Sequence, residues 1–314
     1  MDFTHLHVHS HYSLMDGLCS PEELLTAAKN AGQTAMAITD HGTLASHRDL
    51  QIAAKEMGMK PILGLEAYIS ATDRFDKRDI KSRDDNTQIF NHIILLTKNN
   101  QGLKNLQKLS EIAWTEGYYR KPRIDLEVLD EYGDGLIVLS GCMNGLIAKA
   151  IQNNNMDKAL EYARWFKNRF KDDFYLEVQS HNDKEVNDGL KKISKDLNIK
   201  MVATSDCHYA TKKQKALEEA LLILSTKPQQ ASGTSYDSGR KYKDIFERFN
   251  HLYPDRPITF QDINVYIQSY EELKNDFGND WPESIYSNTQ EILSKVEDYV
   301  FYEDRKSTRL NSSH

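Results

Sequence analysis

Short apolar runs alternate with helical patterns along the first two thirds of the chain. The apolar runs have the length of buried strands, and the helical stretches begin and end at recognisable residues. For example, Ser20, Pro21 and Glu23 form a capping box with a first-turn proline, and Gly32 ends that helix. Strands are predicted at residues 3–8, 35–39, 62–69, 93–97, 136–140, 174–179 and 201–204, and helices at about 21–31, 44–57, 101–113, 144–152, 157–170 and 183–197.

This strand–helix alternation implies a largely parallel sheet. Seven strands with polar, chemistry-bearing residues at their ends favour an α/β barrel over an open sheet. Residues 72–88 are rich in charge and indicate a surface loop. We therefore expect a barrel domain over residues 1–210.

A different pattern follows the barrel. A helix over 214–224 precedes an irregular stretch at 226–260. A short strand at 265–268, a capping box at Ser269 to Glu272 and a helix near 284–296 then indicate a small mixed α+β segment. Residues 211–303 are thus expected to be a connecting segment.

Residues 304–314 resemble the translation of a short-read sequencing adapter. On that interpretation the native chain was cut near Glu303 and belongs to a longer gene, and the tail is left out of the fold prediction. A natural polar tail is the alternative.

Composition narrows the class of protein. The 314 residues are 39% hydrophobic and 28% charged, as in an ordinary globular protein, and no apolar stretch approaches the roughly 20 residues that span a bilayer. Three scattered cysteines and the lack of a signal peptide predict a cytoplasmic protein. The net charge of −7 argues against broad adhesion to nucleic acid, although divalent metals in a cleft would reverse the local potential.

The first chemical motif is the histidine run at the start of the chain. Alternation along a strand places His5, His7 and His9 on one face, so that His7 and His9 can grip one metal while Asp16 reaches back from the following loop. His5 lies deepest and is expected to be a structural residue or to support the ligands. A solvated strand edge is the alternative.

Three further candidates follow along the chain. His41 ends an apolar run as a ligand candidate, and Asp40 before it could hold an imidazole tautomer. Glu66 lies inside a strand-like run, where a carboxylate needs a partner, either a bridged pair of metals or an arginine. His92 precedes its apolar run, which in a uniformly parallel barrel would place it at the wrong rim. Either that strand runs the other way or the barrel is distorted there.

The last candidates lie beyond residue 140. Cys142 follows a strand end, where a thiolate would suit zinc, although a lone cysteine is often only packed. Asp206 and His208 form a D-x-H pair after the last strand. Glu177 and His181 are expected to support ligands or contact substrate, or else to be solvated. No nucleophile elbow, P-loop or paired C-x-x-C motif is present.

Together these motifs resemble a known family. The stretches HVHSHYSLMDG, AITDHG, KPILGLEAYI and ATSDCHY are similar to the PHP (polymerase and histidinol phosphatase) superfamily, and within it to the N-terminal PHP domains of bacterial DNA polymerase III alpha subunits. The resemblance covers residues 2 to about 210. It implies a distorted (β/α)7 barrel with metal ligands at His7, His9, Asp16, His41, Glu66, His92, Cys142, Asp206 and His208.

The resemblance also implies a function. Family members with all these ligands are associated with metal-dependent 3′–5′ exonuclease proofreading, while others keep the barrel only as a scaffold. Position 16 is an aspartate, as in the polymerases of the family, whereas many free-standing phosphatases have a histidine at this position. Two or three divalent ions (Zn, Mn or Fe) are expected, with Asp16, Glu66 and Asp206 as the catalytic carboxylates.

The implied partners are a DNA 3′ primer end and replisome subunits such as the sliding clamp, and no membrane. The polymerase active site would lie beyond this sequence. A scaffold without activity and a phosphatase acting on small phosphomonoesters are the alternatives.

Overall fold

The computed structural model describes residues 2–78, 89–234 and 240–300. Its strands form one curled mixed sheet with helices against it, in the order β1-β2-β3-β5-β6-β7, and β4 pairs with β2 at the side. The predicted barrel class is confirmed as a curled, distorted barrel in which one strand runs opposite to its neighbours. The strands are β1 (Ala35–Ile38), β2 (Lys60–Ile69), β3 (Asn91–Thr97), β4 (Arg123–Ile124), β5 (Leu136–Leu139), β6 (Phe174–Gln179) and β7 (Met201–Thr204).

The prediction of a regular strand at residues 3–8 was wrong. The segment is extended and lies between β1 and β7, but only Val8 makes a bridge, to Cys207. The reason is that side chains take the amide protons that a ladder would use. The amide of Val8 donates to Oγ1 of Thr39 at 3.0 Å, and the amide of His5 donates to Oε1 of Gln33 at 3.1 Å. The segment still connects β1 to β7 and so helps to close the barrel.

Strand β3 runs against its neighbours. It pairs antiparallel with both β2 and β5, whereas β1–β2, β5–β6 and β6–β7 are parallel pairs. The first residues of β3 therefore lie at the same rim as the carboxyl ends of the parallel strands. Of the two explanations offered for His92, reversal of its strand is the correct one.

Most predicted helices are present within a few residues of their predicted ends. Ser20 and Ser269 both form complete capping boxes. The helices are α1 (Pro21–Asn30), α2 (His47–Met57), α3 (Asn100–Thr115), α4 (Leu126–Glu131), α5 (Leu146–Gln152), α6 (Met156–Phe170), α7 (Lys184–Leu197), α8 (Lys215–Thr226), α9 (Ile245–Leu252), α10 (Tyr270–Phe277) and α11 (Ser284–Lys295). In the described residues, none of them is long and apolar enough to cross a membrane.

The segment after residue 210 differs from its prediction in two places. Helix α9 lies within the stretch that was expected to be irregular, and the expected strand at 265–268 is reduced to one bridge between Tyr209 and Tyr266. Helix α11 packs against the barrel, since Ile285 and Tyr286 belong to the main core cluster. The proposed division at residue 210 stays a prediction. Part of the predicted loop at 72–88 and the whole tail at 304–314 lie outside the described residues.

Candidate metal centre

The nine predicted ligand residues meet at one rim of the barrel. His41 follows β1, Glu66 lies in β2, His92 begins the reversed β3 and Cys142 follows β5. The others are on loops: His7, His9 and Asp16 come from the N-terminal segment, and Asp206 and His208 follow β7. Because these loops and strand ends lie at the same rim, residues up to two hundred positions apart share one small volume.

Glu66 is at the middle of the cluster and is 1% exposed. Its Oε2 lies 3.4 Å from Nε2 of His7, 3.1 Å from Nε2 of His9 and 2.8 Å from Nδ1 of His41. Its Oε1 faces the other way, 2.9 Å from Nδ1 of His92 and 3.8 Å from Sγ of Cys142. Both carboxylate oxygens therefore take part, which is the geometry expected of a bridging ligand.

Two further carboxylates complete the cluster on either side of Glu66. Oδ1 of Asp206 lies 3.0 Å from Nε2 of His7 and 3.1 Å from Nε2 of His9. Oδ2 of Asp16 lies 3.0 Å from Nε2 of His41 and 3.4 Å from Nε2 of His208. The polar atoms thus form overlapping groups rather than one isolated site.

The backbone is held in unusual conformations beside two of these carboxylates. Asp206 itself has φ +49° and Met15, next to Asp16, has φ +63°, values that non-glycine residues rarely adopt. Gly17 is required for another reason: a Cβ there would lie 2.1 Å from the carbonyl oxygen of Ser10. The loop can therefore fold back closely enough to carry Asp16 to the cluster. Strained backbone of this kind is often found at functional sites.

Hydrogen bonds orient the imidazoles from behind. Nδ1 of His7 donates to Oε1 of Glu177 at 2.6 Å, which leaves Nε2 facing the cluster. Nδ1 of His208 donates to the carbonyl oxygen of Asp206 at 2.7 Å, with the same result. Glu177 is itself held by the hydroxyl of Thr204. Fixing a ring through its distal nitrogen is the usual support for a metal-binding histidine.

His9 is oriented through a serine that the sequence did not single out. Its Nδ1 lies 3.0 Å from Oγ of Ser13, whose hydroxyl donates to Oδ1 of Asp40 at 2.9 Å. Asp40 also accepts hydrogen bonds from the amide and hydroxyl of Ser10. Asp40 therefore supports an imidazole, as expected, but indirectly. Only the S-x-x-S spacing of Ser10 and Ser13 marks this relay in the sequence, and that pattern is too common to be specific.

His5 is fully buried and has the structural role that was one of the two predicted for it, but it does not face the cluster. Its Nε2 lies 2.9 Å from the carbonyl oxygen of Gln268, and its Nδ1 lies 3.5 Å from Sγ of Cys207. The irregular course of residues 3–8 breaks the strict alternation that would have aligned it with His7. His5 instead joins the N-terminal segment to the chain near Gln268. His181 lines a cleft of about 450 Å³ together with Asp206 and His208.

Charge and burial shift the pKa values of the cluster in a consistent way. Burial opposes protonation of His41, but the carboxylates of Glu66 and Asp16 raise its pKa to about 10. Burial likewise opposes protonation of His208, and Asp16 and Asp206 raise its pKa to about 9. Burial works against ionisation of Glu66, yet the surrounding imidazoles hold its pKa well below the usual value. The metal-free cluster thus carries protons that a bound cation would displace.

Several buried atoms of the cluster have no hydrogen-bond partner in the described part of the chain. They are Asp16 Oδ2, His41 Nδ1, Glu66 Oε2 and Asp206 Oδ1. Buried polar atoms are nearly always paired, and these atoms also lie within 3.1 Å of other ligand atoms without hydrogen-bond geometry. Sets of three side chains, such as His41, Glu66 and His92, offer ligand atoms within 4.8 Å of one another. The donor set therefore fits divalent cations.

The fold and this cluster together define an α/β barrel protein. Its side chains suited to binding metal lie at the rim where the parallel strands end. The chain belongs to the PHP domain family, which matches residues 5–181. It is 36% identical to the DNA polymerase III subunit alpha of Borreliella burgdorferi over 300 residues, which is 95% of this chain and 24% of that protein. It is 42% identical to the same subunit of Aquifex aeolicus over 230 residues, 72% of this chain and 20% of that one.

The chain thus spans about a quarter of the length of these relatives. Among solved structures it is similar to a protein described as a metal-dependent phosphoesterase from Bifidobacterium adolescentis, with a TM-score of 0.41 and 15% identity over 66% of this chain and 88% of that one. It is also similar to an amidohydrolase from Chromobacterium violaceum, with a TM-score of 0.40 and 12% identity over 65% of this chain and 87% of that one.

Proposed function

We propose that this chain is a metal-dependent phosphodiesterase module that removes nucleotides from DNA 3′ ends, as a 3′–5′ proofreading exonuclease of a DNA polymerase III alpha subunit. The observation that carries the proposal is the convergence of all nine candidate ligands around Glu66, with no position occupied by a residue that cannot bind metal. A domain kept only as a scaffold would have no need to gather three carboxylates among five imidazoles.

In this proposal each group of residues has a distinct task. His7, His9, Glu66 and Asp206 would hold one ion, and Glu66, His92 and Cys142 face a second position. Asp16, His41 and His208 face a third. Bound divalent ions would supply an activated water and positive charge for the phosphoryl oxygens.

The protein side chains position these ligands and hold protons. Glu177 accepts a hydrogen bond from Nδ1 of His7, and Oγ of Ser13 accepts one from Nδ1 of His9, so Nε2 of both rings faces the cluster. The buried walls of the centre limit bulk water around the carboxylates, which strengthens every charge interaction there. Because its relatives are DNA polymerase III alpha subunits, we further propose that the chain works with other replisome subunits, such as a sliding clamp, in the cytoplasm.

The test compares two substrates on purified protein stripped of metal and reloaded with Mn or Zn. A 3′-recessed primer should be shortened one nucleotide at a time, and a small phosphomonoester should be turned over far more slowly. Asp206→Asn should abolish cleavage without lowering the melting temperature of the metal-free protein. Asp157→Asn, on the outer helix α6, serves as a control with the same chemical change.

Each alternative outcome has a clear meaning. Faster turnover of the phosphomonoester would indicate a small-molecule phosphatase. No bound metal by elemental analysis, together with no cleavage of either substrate, would indicate a scaffold. Unchanged exonuclease rates in Asp206→Asn would contradict the role of the cluster.

A further inference from the structure

A groove beside the cluster is not explained by metal binding. It has a volume of about 740 Å³ and begins at Asp16, His41 and His92. Its remaining wall combines aromatic rings with basic side chains, chiefly Tyr68, Trp114, Tyr118, Arg120 and Lys121. We propose that this groove binds single-stranded DNA and guides its 3′ end to the metal centre. The inference rests on the proposed nuclease function and names the substrate subsite that such an activity needs.

Trp114 is the first element of the argument. It is 52% exposed, although large aromatic rings are usually covered. Its orientation is nevertheless fixed, because Nε1 donates to the carbonyl oxygen of Gly42 at 2.9 Å, and Gly42 is the neighbour of the ligand His41. Its ring stacks on Tyr118 with centroids 5.5 Å apart and planes 15° from parallel. The pair is a preorganised flat surface whose outer face is open to a base.

The basic side chains lie next to this aromatic pair. Arg120 and Lys121 are both exposed, in a protein whose net charge is −7. Nζ of Lys121 lies 5.1 Å above the ring of Tyr68, which stacks on His41 at 5.6 Å. Positive charge is therefore placed between the aromatic surface and the cluster, where the phosphates of a bound strand would run. Aromatic rings for bases beside cations for phosphates are the pattern of single-strand binding sites.

The loop that carries these residues is rigidly supported. Arg123 is fully buried, and its guanidinium donates to the carbonyl oxygens of Gly117, Asp76 and Arg74 at 3.0, 2.7 and 2.8 Å. A buried arginine that satisfies several carbonyl groups fixes the path of the chain around it. The groove wall is thus a built surface rather than a loose loop.

Two apolar side chains that line the groove are also exposed. Leu14 is 83% exposed and Met15 is 47% exposed, on the loop that carries Asp16. Met15 holds the left-handed backbone conformation described above. A strand lying between this loop and Trp114 would have its terminal phosphate next to Asp16 and His41. Because base faces are accessible only when bases are unpaired, the occupant is single-stranded DNA rather than a duplex.

The experiment measures binding separately from cleavage. A fluorescein-labelled oligothymidylate is titrated with the protein in EDTA, where no hydrolysis occurs, and its anisotropy gives the affinity. Loss of one base stack is worth about 1–3 kcal/mol, so Trp114→Ala should bind about 5- to 150-fold more weakly. Trp114→Phe should recover part of the loss. Lys121→Gln should weaken binding. It should also reduce the slope of log binding constant against log salt concentration by about one.

Matched controls lie elsewhere on the surface. Trp281→Phe removes an indole from a site that packs under Lys191, and Lys192→Gln removes an exposed charge from α7. Both should bind like the wild type. Equal affinity of Trp114→Ala and the wild type would overturn the inference, as would tighter binding of a blunt duplex or of oligouridylate.

A small chromogenic ester, the p-nitrophenyl ester of thymidine 5′-monophosphate, separates this inference from the proposed function. It is too short to span the groove, so Trp114→Ala should hydrolyse it at the wild-type rate with Mn while losing activity on the oligonucleotide. If the wild type hydrolyses neither substrate, the nuclease proposal fails, and the anisotropy result still decides whether the groove binds DNA. An unchanged rate on the oligonucleotide would refute the groove alone.

Discussion

Replacing Glu66 with glutamine is the most informative perturbation of the centre. Glu66 uses both oxygens, Oε2 towards His7, His9 and His41 and Oε1 towards His92. Glutamine keeps one oxygen and turns an NH2 donor towards one of these groups. Glu66→Gln should therefore weaken every ion position that shares this residue, whereas Glu177→Gln should only loosen His7.

The size of the effect follows from mass action. At a metal concentration about 1,000 times the dissociation constant, one ion stabilises the folded state by about 4 kcal/mol. At about 2 °C per kcal/mol, the melting temperature should rise by roughly 8 °C when metal is added to the wild type. Loss of a supporting hydrogen bond weakens binding about 10- to 100-fold, which leaves Glu177→Gln with a rise of about 3–5 °C. Glu66→Gln should show a smaller rise than Glu177→Gln, because two of the three proposed ion positions use this carboxylate.

The assay is differential scanning calorimetry of each protein in EDTA and in excess Mn or Zn. Comparing each variant with its own metal-free form cancels any change in intrinsic stability. An undiminished rise in melting temperature for Glu66→Gln would refute the argument that this carboxylate joins the ion positions. A larger loss in Glu177→Gln than in Glu66→Gln would contradict the geometry.

Three further predictions concern a ligand, a buried histidine and the groove wall. Cys142→Ser should reduce affinity for Zn more than for Mn, because a thiolate favours zinc, and equal losses by isothermal titration would contradict this. Burial lowers the pKa of His47 to about 4 in the folded protein, against 6.5 when unfolded. As pH falls, the unfolded chain binds a proton on His47 that the folded protein does not. Between pH 6 and 4.5 the free energy of unfolding of the wild type should therefore fall faster than that of His47→Gln, by about 1.4 kcal/mol per pH unit. Equal slopes in urea unfolding would refute it. Arg123→Met should lower the free energy of unfolding by about 3–5 kcal/mol, since four carbonyl groups lose their donor. A loss below about 1 kcal/mol would contradict that role.

Local signals predicted most of the barrel. Ser20 and Ser269 mark helix starts because a capping box is decided by residues three positions apart. Strands β2 and β6 are likewise visible in the sequence, because an apolar run is also a property of neighbouring residues. By contrast, the direction of β3 depends on which strands it lies between, and nothing in its seven residues encodes that. His92 could not be assigned to the correct rim from its own neighbourhood.

The side chains that gather at the rim were predictable from the sequence, whereas the hydrogen bonds that orient them were less so, and their role as metal ligands stays a prediction. Histidine and carboxylate residues at strand ends are visible in the sequence, and the structure brings all nine together. The role of Ser13 depends on a loop that folds back through Gly17, and the hold on Glu177 depends on Thr204 across the sheet. The displacement of His5 follows from amides that bond to Gln33 and Thr39 instead of to a neighbouring strand. Such side-chain competition for backbone donors is decided by tertiary packing.

Anomalous diffraction from crystals grown with Mn or Zn would test the central claim most directly. Data collected at the absorption edge of the metal locate each ion independently of any assumed ligands. We predict two or three strong peaks around Glu66, each about 2.0–2.3 Å from imidazole nitrogens or carboxylate oxygens of the nine residues. The absence of peaks at this rim, or peaks bound only elsewhere on the protein, would contradict the account.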